Sequence, residues 1–137
     1  MESIQLIFPF IFMMILTLFL YFKNYFALLN AFKNKSIKYS YIKIYKGDVP
    51  EYIEVLRQTL KNQFELPIFF YFLVLFIILF DNFIQLDLIF AWIFVISRYL
   101  HCYIRLTSNY IPYRAKFFRI GFITLVIWWI IFILKIL

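Results

Sequence analysis

Most of this 137-residue chain consists of apolar runs about as long as a lipid bilayer is thick, which leaves few folds open. The runs cover about 4–22, 64–80, 83–106 and 117–136 and carry few charges. A bilayer core of roughly 30 Å needs about 20 helical residues. Hydrophobic residues make up 66% of the chain, only 15% is charged, and mean hydropathy is +0.89. Those values lie well outside the range of soluble domains. The expectation is an all-α integral membrane protein, a four-transmembrane-helix bundle. It forms a single domain over 1–137, with helices over about 4–29, 50–80, 83–107 and 116–136.

The second run is short, so its helix must begin earlier. Within Gly47-Asp48-Val49-Pro50-Glu51, Asp48 is expected as N-cap, Pro50 in the first turn and Glu51 as capping-box partner. An unbroken helix from Pro50 to Phe80 would be about 46 Å long at 1.5 Å per residue. It would carry Glu54, Arg57, Gln58 and Lys61 to the membrane surface or beyond. The first run has Glu2 where a signal peptide has basic residues, and no small-x-small cleavage site follows it. It reads as a retained helix. The single cysteine, Cys102, can form no internal disulfide.

Charge sets the expected orientation. Lys33, Lys35, Lys38, Lys43 and Lys46 lie between the first two spans, and Arg114, Lys116 and Arg119 follow the third. The short connection between spans two and three carries Asp81 and Asp87. Of 14 basic residues, only Lys135 falls on that side. The positive-inside rule puts both basic loops in the cytosol and both termini outside it, with a bacterial inner membrane as the expected location. The net charge of +7 is therefore mainly a topology signal. Its lysines suit anionic headgroups of the lipid bilayer, and no nucleic-acid recognition motif accompanies them.

Two polar stripes interrupt the apolar sequence. Gln58, Asn62 and Glu65 fall on one helix face, and so do Arg98, His101 and Arg105. If the chain turns back at Asp81-Asn82, Glu65 meets Arg98, Asn62 meets His101, and Gln58 meets Arg105. A charge inside a membrane span is costly and normally faces a partner in the protein interior. The stripes thus read as the wall of a buried polar site. Each also has a plainer reading: Glu65–Arg98 as a structural ion pair, His101 as a packed interior histidine. With one histidine and no ligand-spaced cysteine or carboxylate beside it, no metal site is expected. No nucleophilic triad assembles around His101 either. Cys102 should point about 100° away from the stripe, toward lipid or a neighbouring helix. Trp92, Trp128 and Trp129 read as packing or interfacial residues, and Tyr39, Tyr41 and Tyr45 as headgroup-level aromatics.

The stripes and their flanks resemble the family of membrane-associated proteins in eicosanoid and glutathione metabolism, MAPEG. The residues that carry the resemblance begin with Arg57-Gln58 and Asn62-Gln63-Phe64-Glu65-Leu66-Pro67. They continue with Trp92, Ser97-Arg98-Tyr99-Leu100-His101, Asn109 and Arg114. The stretch Tyr45-Lys46-Gly47-Asp48-Val49-Pro50 is similar to the segment before helix two in bacterial members. The resemblance implies a homotrimer that binds glutathione between protomers, near the cytosolic side. It implies that Gln58, Asn62, Glu65, Arg98, His101 and Arg105 line the glutathione site and that Arg114 is the catalytic arginine beside the thiol. Two departures stand out. Arg105 replaces a tyrosine usual in eicosanoid members, and Gln58 and Lys61 stand where active members often have arginine. They imply that specialised eicosanoid chemistry is not this chain's.

Glutathione carries two carboxylates and a thiol with a pKa of about 8.5, and conjugation needs the thiolate. Arginine forks can clamp the carboxylates, and another cation near sulfur favours its anion. The expected activity is that of a membrane-embedded glutathione-dependent transferase or peroxidase. Glutathione would be the co-substrate and a lipophilic small molecule from the bilayer the second substrate. The alternative is a non-catalytic protein of the same fold that binds a lipid or a protein partner.

Overall fold

The computed structural model describes residues 2–137. A 3₁₀ turn, Glu2–Leu6, leads into α1 (Ile7–Lys33), followed by the short α2 (Tyr39–Ile44). Then come α3 (Glu51–Asn62), α4 (Leu66–Leu79), α5 (Gln85–Leu106) and α6 (Ile111–Ile136). Four stretches are long and apolar enough to cross a membrane: Glu2–Lys33, Glu51–Leu79, Gln85–Leu106 and Ile111–Ile136. No strand occurs among the described residues.

The core lies between these helices. Met13, Leu16 and Leu20 of α1 recur at helical spacing and turn inward. They meet Phe70, Leu73 and Ile77 of α4, Phe94 of α5, and Trp128 and Phe132 of α6. Phe70 and Phe94 stack with their centroids 5.0 Å apart. Outward-facing Phe8, Phe12, Phe69 and Ile130 are exposed, a surface suited to hydrocarbon and not to water. The helices α5 and α6 form the most extensive pair. They approach closely because α6 has Gly121 at the contact. A Cβ added there would lie 2.5 Å from Ser97 Oγ. The turn between them closes through Asn109, whose φ of 50° is left-handed, a conformation asparagine tolerates well.

The structure departs from the expected second helix in two ways. The helix starts at Glu51 with Pro50 as N-cap and no side-chain capping bond, so neither Asp48 nor Glu51 caps it. It also does not run unbroken to Phe80. It stops at Asn62 and restarts at Leu66, with Glu65 at φ −100° and ψ −96°. Pro67 is the cause: it has no N–H to donate, and its ring would clash with the carbonyl four residues back. The break is stitched by tight bonds from the N–H groups of Gln63, Phe64 and Glu65 to the carbonyls of Leu60, Lys61 and Asn62. Beyond it α4 packs on α6, on α1 and on the leading 3₁₀ turn, while α3 packs on α1 and α5.

At the basic-loop end, Ala31, Ile37, Tyr41 and Ile53 form a small second core. Tyr41 is buried there. Its hydroxyl donates to Glu54 Oε1 at 2.8 Å. Glu54 Oε2 in turn pairs with Arg57 at 3.2 Å, and Arg57 lies over the Tyr45 ring.

At the opposite end, Asp87 is fully buried inside α5. Its Oδ1 accepts from Trp128 Nε1 at 2.7 Å. Its Oδ2 accepts from Lys135 Nζ at 3.1 Å and from the Ile84 N–H at 2.8 Å. The same ammonium donates to the Asn82 carbonyl at 2.7 Å. Trp128, read from sequence as a packing or interfacial residue, anchors this cluster.

Candidate functional site

The polar stripes converge at the end of the bundle nearest the basic loops, around the break between α3 and α4. Arg98 sits on α5 and is 1% exposed. None of its guanidinium nitrogens, Nε, Nη1 or Nη2, has a hydrogen-bond partner. One turn on, His101 is buried as well. Its Nδ1 lies 3.0 Å from the Arg114 carbonyl oxygen. A carbonyl can only accept, so Nδ1 carries the proton. His101 Nε2 is buried and has no partner. Arg98, Arg105 and Arg114 all lie within electrostatic reach of His101.

Of the three pairings expected between the stripes, one forms. Arg105 Nη2 donates to Gln58 Oε1 at 2.7 Å. Glu65 makes no ion pair with Arg98; the ion pairs among the described residues are Arg57–Glu54 and Lys135–Asp87. Nor does Asn62 meet His101, which turns to Arg114. The physical reason is the break before Pro67. It interrupts the 3.6-residue period on which the register argument rests, and it leaves Glu65 exposed on the outer surface. Glu65 remains near enough to Arg98 to act on it electrostatically.

Asn62 and Glu65 instead line a groove of about 550 Å³ between the break, the start of α4 and α6. Phe64, Phe69, Phe118 and Phe122 supply its apolar wall. Phe118 also reaches inward, with its ring 5.8 Å from that of His101. Arg114, in the first turn of α6, donates through Nη1 to Asn109 Oδ1 at 2.8 Å. The left-handed turn at Asn109 thus orients the arginine assigned to catalysis by resemblance. His101 is coupled to that same arginine through its backbone.

One organising residue escapes the sequence reading. Gln63 lies in the broken turn and is 1% exposed. Its Nε2 donates to Cys102 Sγ at 3.4 Å, and its Oε1 accepts from Thr17 Oγ1 at 3.4 Å. It ties the break to α5 and α1 together. Cys102 accordingly faces a neighbouring element inside the protein, not lipid. Among the described residues, no group of three His, Cys, Asp or Glu side chains could hold a metal ion.

Four apolar spans with a cluster of arginines toward one end define a multi-pass integral membrane protein. Residues 10–134 match the MAPEG family, and the chain belongs to it. No curated protein and no solved structure gives a significant match.

Proposed function

We propose that the chain is a glutathione-dependent transferase or peroxidase that acts on a lipophilic electrophile or hydroperoxide drawn from the bilayer. The observation that carries this reading is the buried, unpartnered guanidinium of Arg98. A buried cation without a partner is costly unless an anion joins it. Glutathione brings two carboxylates, and an arginine fork holds a carboxylate well. In this reading Arg98 and Arg105 hold the carboxylates. Asn62 and Glu65 receive the ammonium and amide groups from the groove side. Arg114 stands by the sulfur and stabilises the thiolate. That thiolate attacks the electrophile, forming the new bond to sulfur as the leaving group departs. His101 holds Arg114 in position through the Nδ1–carbonyl contact.

The reading includes a homotrimer with glutathione between protomers. The groove beside Glu65 is open at the surface of a single chain, where a neighbour would close it. It also places the site on the cytosolic side of a bacterial inner membrane, with both termini outside the cytosol. The distribution of basic residues supports that placement.

A second reading, a non-catalytic MAPEG member that binds a lipid or a protein partner, is favoured by one observation. The Arg105–Gln58 hydrogen bond already engages one of the arginines that would hold a carboxylate. Calorimetry on the detergent-purified oligomer separates the two. Under the enzyme reading glutathione binds, and Arg98→Ala and Glu65→Gln each weaken binding at least about ten-fold, since losing a charged hydrogen bond costs about 1.5–3 kcal/mol. No heat at millimolar glutathione from a folded oligomer favours the second reading.

A further inference from the structure

A surface groove runs along the other side of α1. Its membrane-facing part, about 490 Å³, lies between α1 and α5 and is walled by Ile15, Phe19, Tyr103 and Leu106. Its upper part, about 480 Å³, lies between α1 and α3 and is walled by Phe22, Phe26, Asn30 and Tyr52. The two parts meet at Phe19 and Lys23, which belong to both.

From Ile15 to Lys23 is eight residues, about 12 Å along the helix axis. Half of a bilayer core is about 15 Å. Lys23 is the first basic residue after the opening apolar run, so it marks the hydrocarbon boundary on the basic-loop side. The lower part of the groove therefore spans one leaflet, and the upper part lies at headgroup level. Lys23 makes no hydrogen bond or ion pair among the described residues. Its ammonium lies 5.9 Å from the Phe19 ring. No residue walling either part carries a negative charge. The nearby carboxylate of Glu54 is engaged by Tyr41 and Arg57.

We infer that this groove is a binding site for a single anionic phospholipid of the basic-loop leaflet. One acyl chain lies between α1 and α5, and the headgroup phosphate rests on Lys23, flanked by Asn30 and Tyr52. The unpaired cation at the junction of an apolar and a polar half selects an anionic amphiphile over a neutral one. The site shares no lining residue with the groove beside Glu65 and does not depend on thiol chemistry.

The test uses the detergent-purified oligomer. It is mixed with equal amounts of phosphatidylglycerol and phosphatidylcholine of the same chain length, and retained lipid is counted by native mass spectrometry. Phosphatidylglycerol is expected to be retained over phosphatidylcholine by about five-fold, the worth of one lysine near a charged headgroup. Lys23→Gln should erase that preference, whereas Lys33→Gln, outside the groove, should keep it. Ile15→Trp fills the lower part and should lower retention of both lipids. Elution volume and helix content check that each variant is folded. Equal retention of the two lipids by the unaltered protein would overturn the inference. So would an undiminished preference in folded Lys23→Gln. Retention of neither lipid would also overturn it and would mean that another copy of the chain covers the groove.

Discussion

The two ends of the α5–α6 pair treat a buried charge in opposite ways. At one end both oxygens of Asp87 are bonded, to Trp128, Lys135 and the Ile84 N–H. At the other, Arg98 is as deeply buried and none of its three nitrogens is bonded. A fully satisfied polar cluster fixes helix packing, and any missing member leaves the others stranded. An unsatisfied one weakens the free protein unless something arrives to complete it. The Asp87 cluster is therefore a clasp, and the Arg98 cluster is a receptor in the proposed reading, although both are charges buried within the same helix.

Substitutions at the two charges should act with opposite sign. Asp87→Ala strands the Lys135 ammonium and the Trp128 N–H, so stability should fall by about 3 kcal/mol in equilibrium unfolding from detergent micelles. An unchanged unfolding midpoint would remove the clasp from the comparison. Arg98→Met fills the same space without a charge. The ligand-free protein should gain about 1–2 kcal/mol, while calorimetry shows glutathione binding lost. If Arg98→Met destabilises as strongly as Asp87→Ala, Arg98 has a partner in the assembled protein and the contrast fails.

Smaller effects test the margins. The Arg105–Gln58 bond is exposed at the surface. Gln58→Ala should shift unfolding by no more than about 1 kcal/mol, as for an ordinary hydrogen bond. A larger loss would make this pair a clasp as well. The smallest effect is expected at Tyr41, outside both clusters. Burial pushes its hydroxyl above the usual tyrosine value, and the bond to Glu54 adds to the rise. A raised folded value means that the neutral hydroxyl is favoured by folding. Its contribution is full below about pH 10 and is lost as pH rises through the higher folded value. Tyr41→Phe should therefore flatten the alkaline decline in stability, measured between about pH 9 and about pH 11.

How far these features could be read in advance depended on the kind of signal. The stripe Arg98, His101, Arg105 lies within the unbroken helix α5, so periodicity placed all three on one face correctly. The stripe Gln58, Asn62, Glu65 ends in a helix break, and the same argument failed at Glu65 and at Asn62, the last residue of α3. Pro67 figured only in the family-like segment and not as a breaker of the expected helix, and the conformation of the three residues before it depends on how α4 settles against α6 and α1. Gln63 stood within the family-like segment but off both polar stripes, so no role was read for it. Its role as a tie arises because Thr17 and Cys102, 46 and 39 residues away, meet at its amide. Asp87 read as a charge of the connection between spans two and three and Lys135 as the one basic residue on that side, but 48 residues separate them, and only helix packing buried Asp87 and made them partners.

The sequence by itself determined the four spans, the cation-rich end, the helix faces within unbroken helices and the MAPEG family. These follow from local hydropathy and from periods of a few residues, which the chain imposes wherever it folds. Only the tertiary structure decided which buried charge is satisfied and which is left open. Hydrogen-bond satisfaction depends on atoms placed within about 3 Å of one another by distant parts of the chain, and no local pattern encodes that distance.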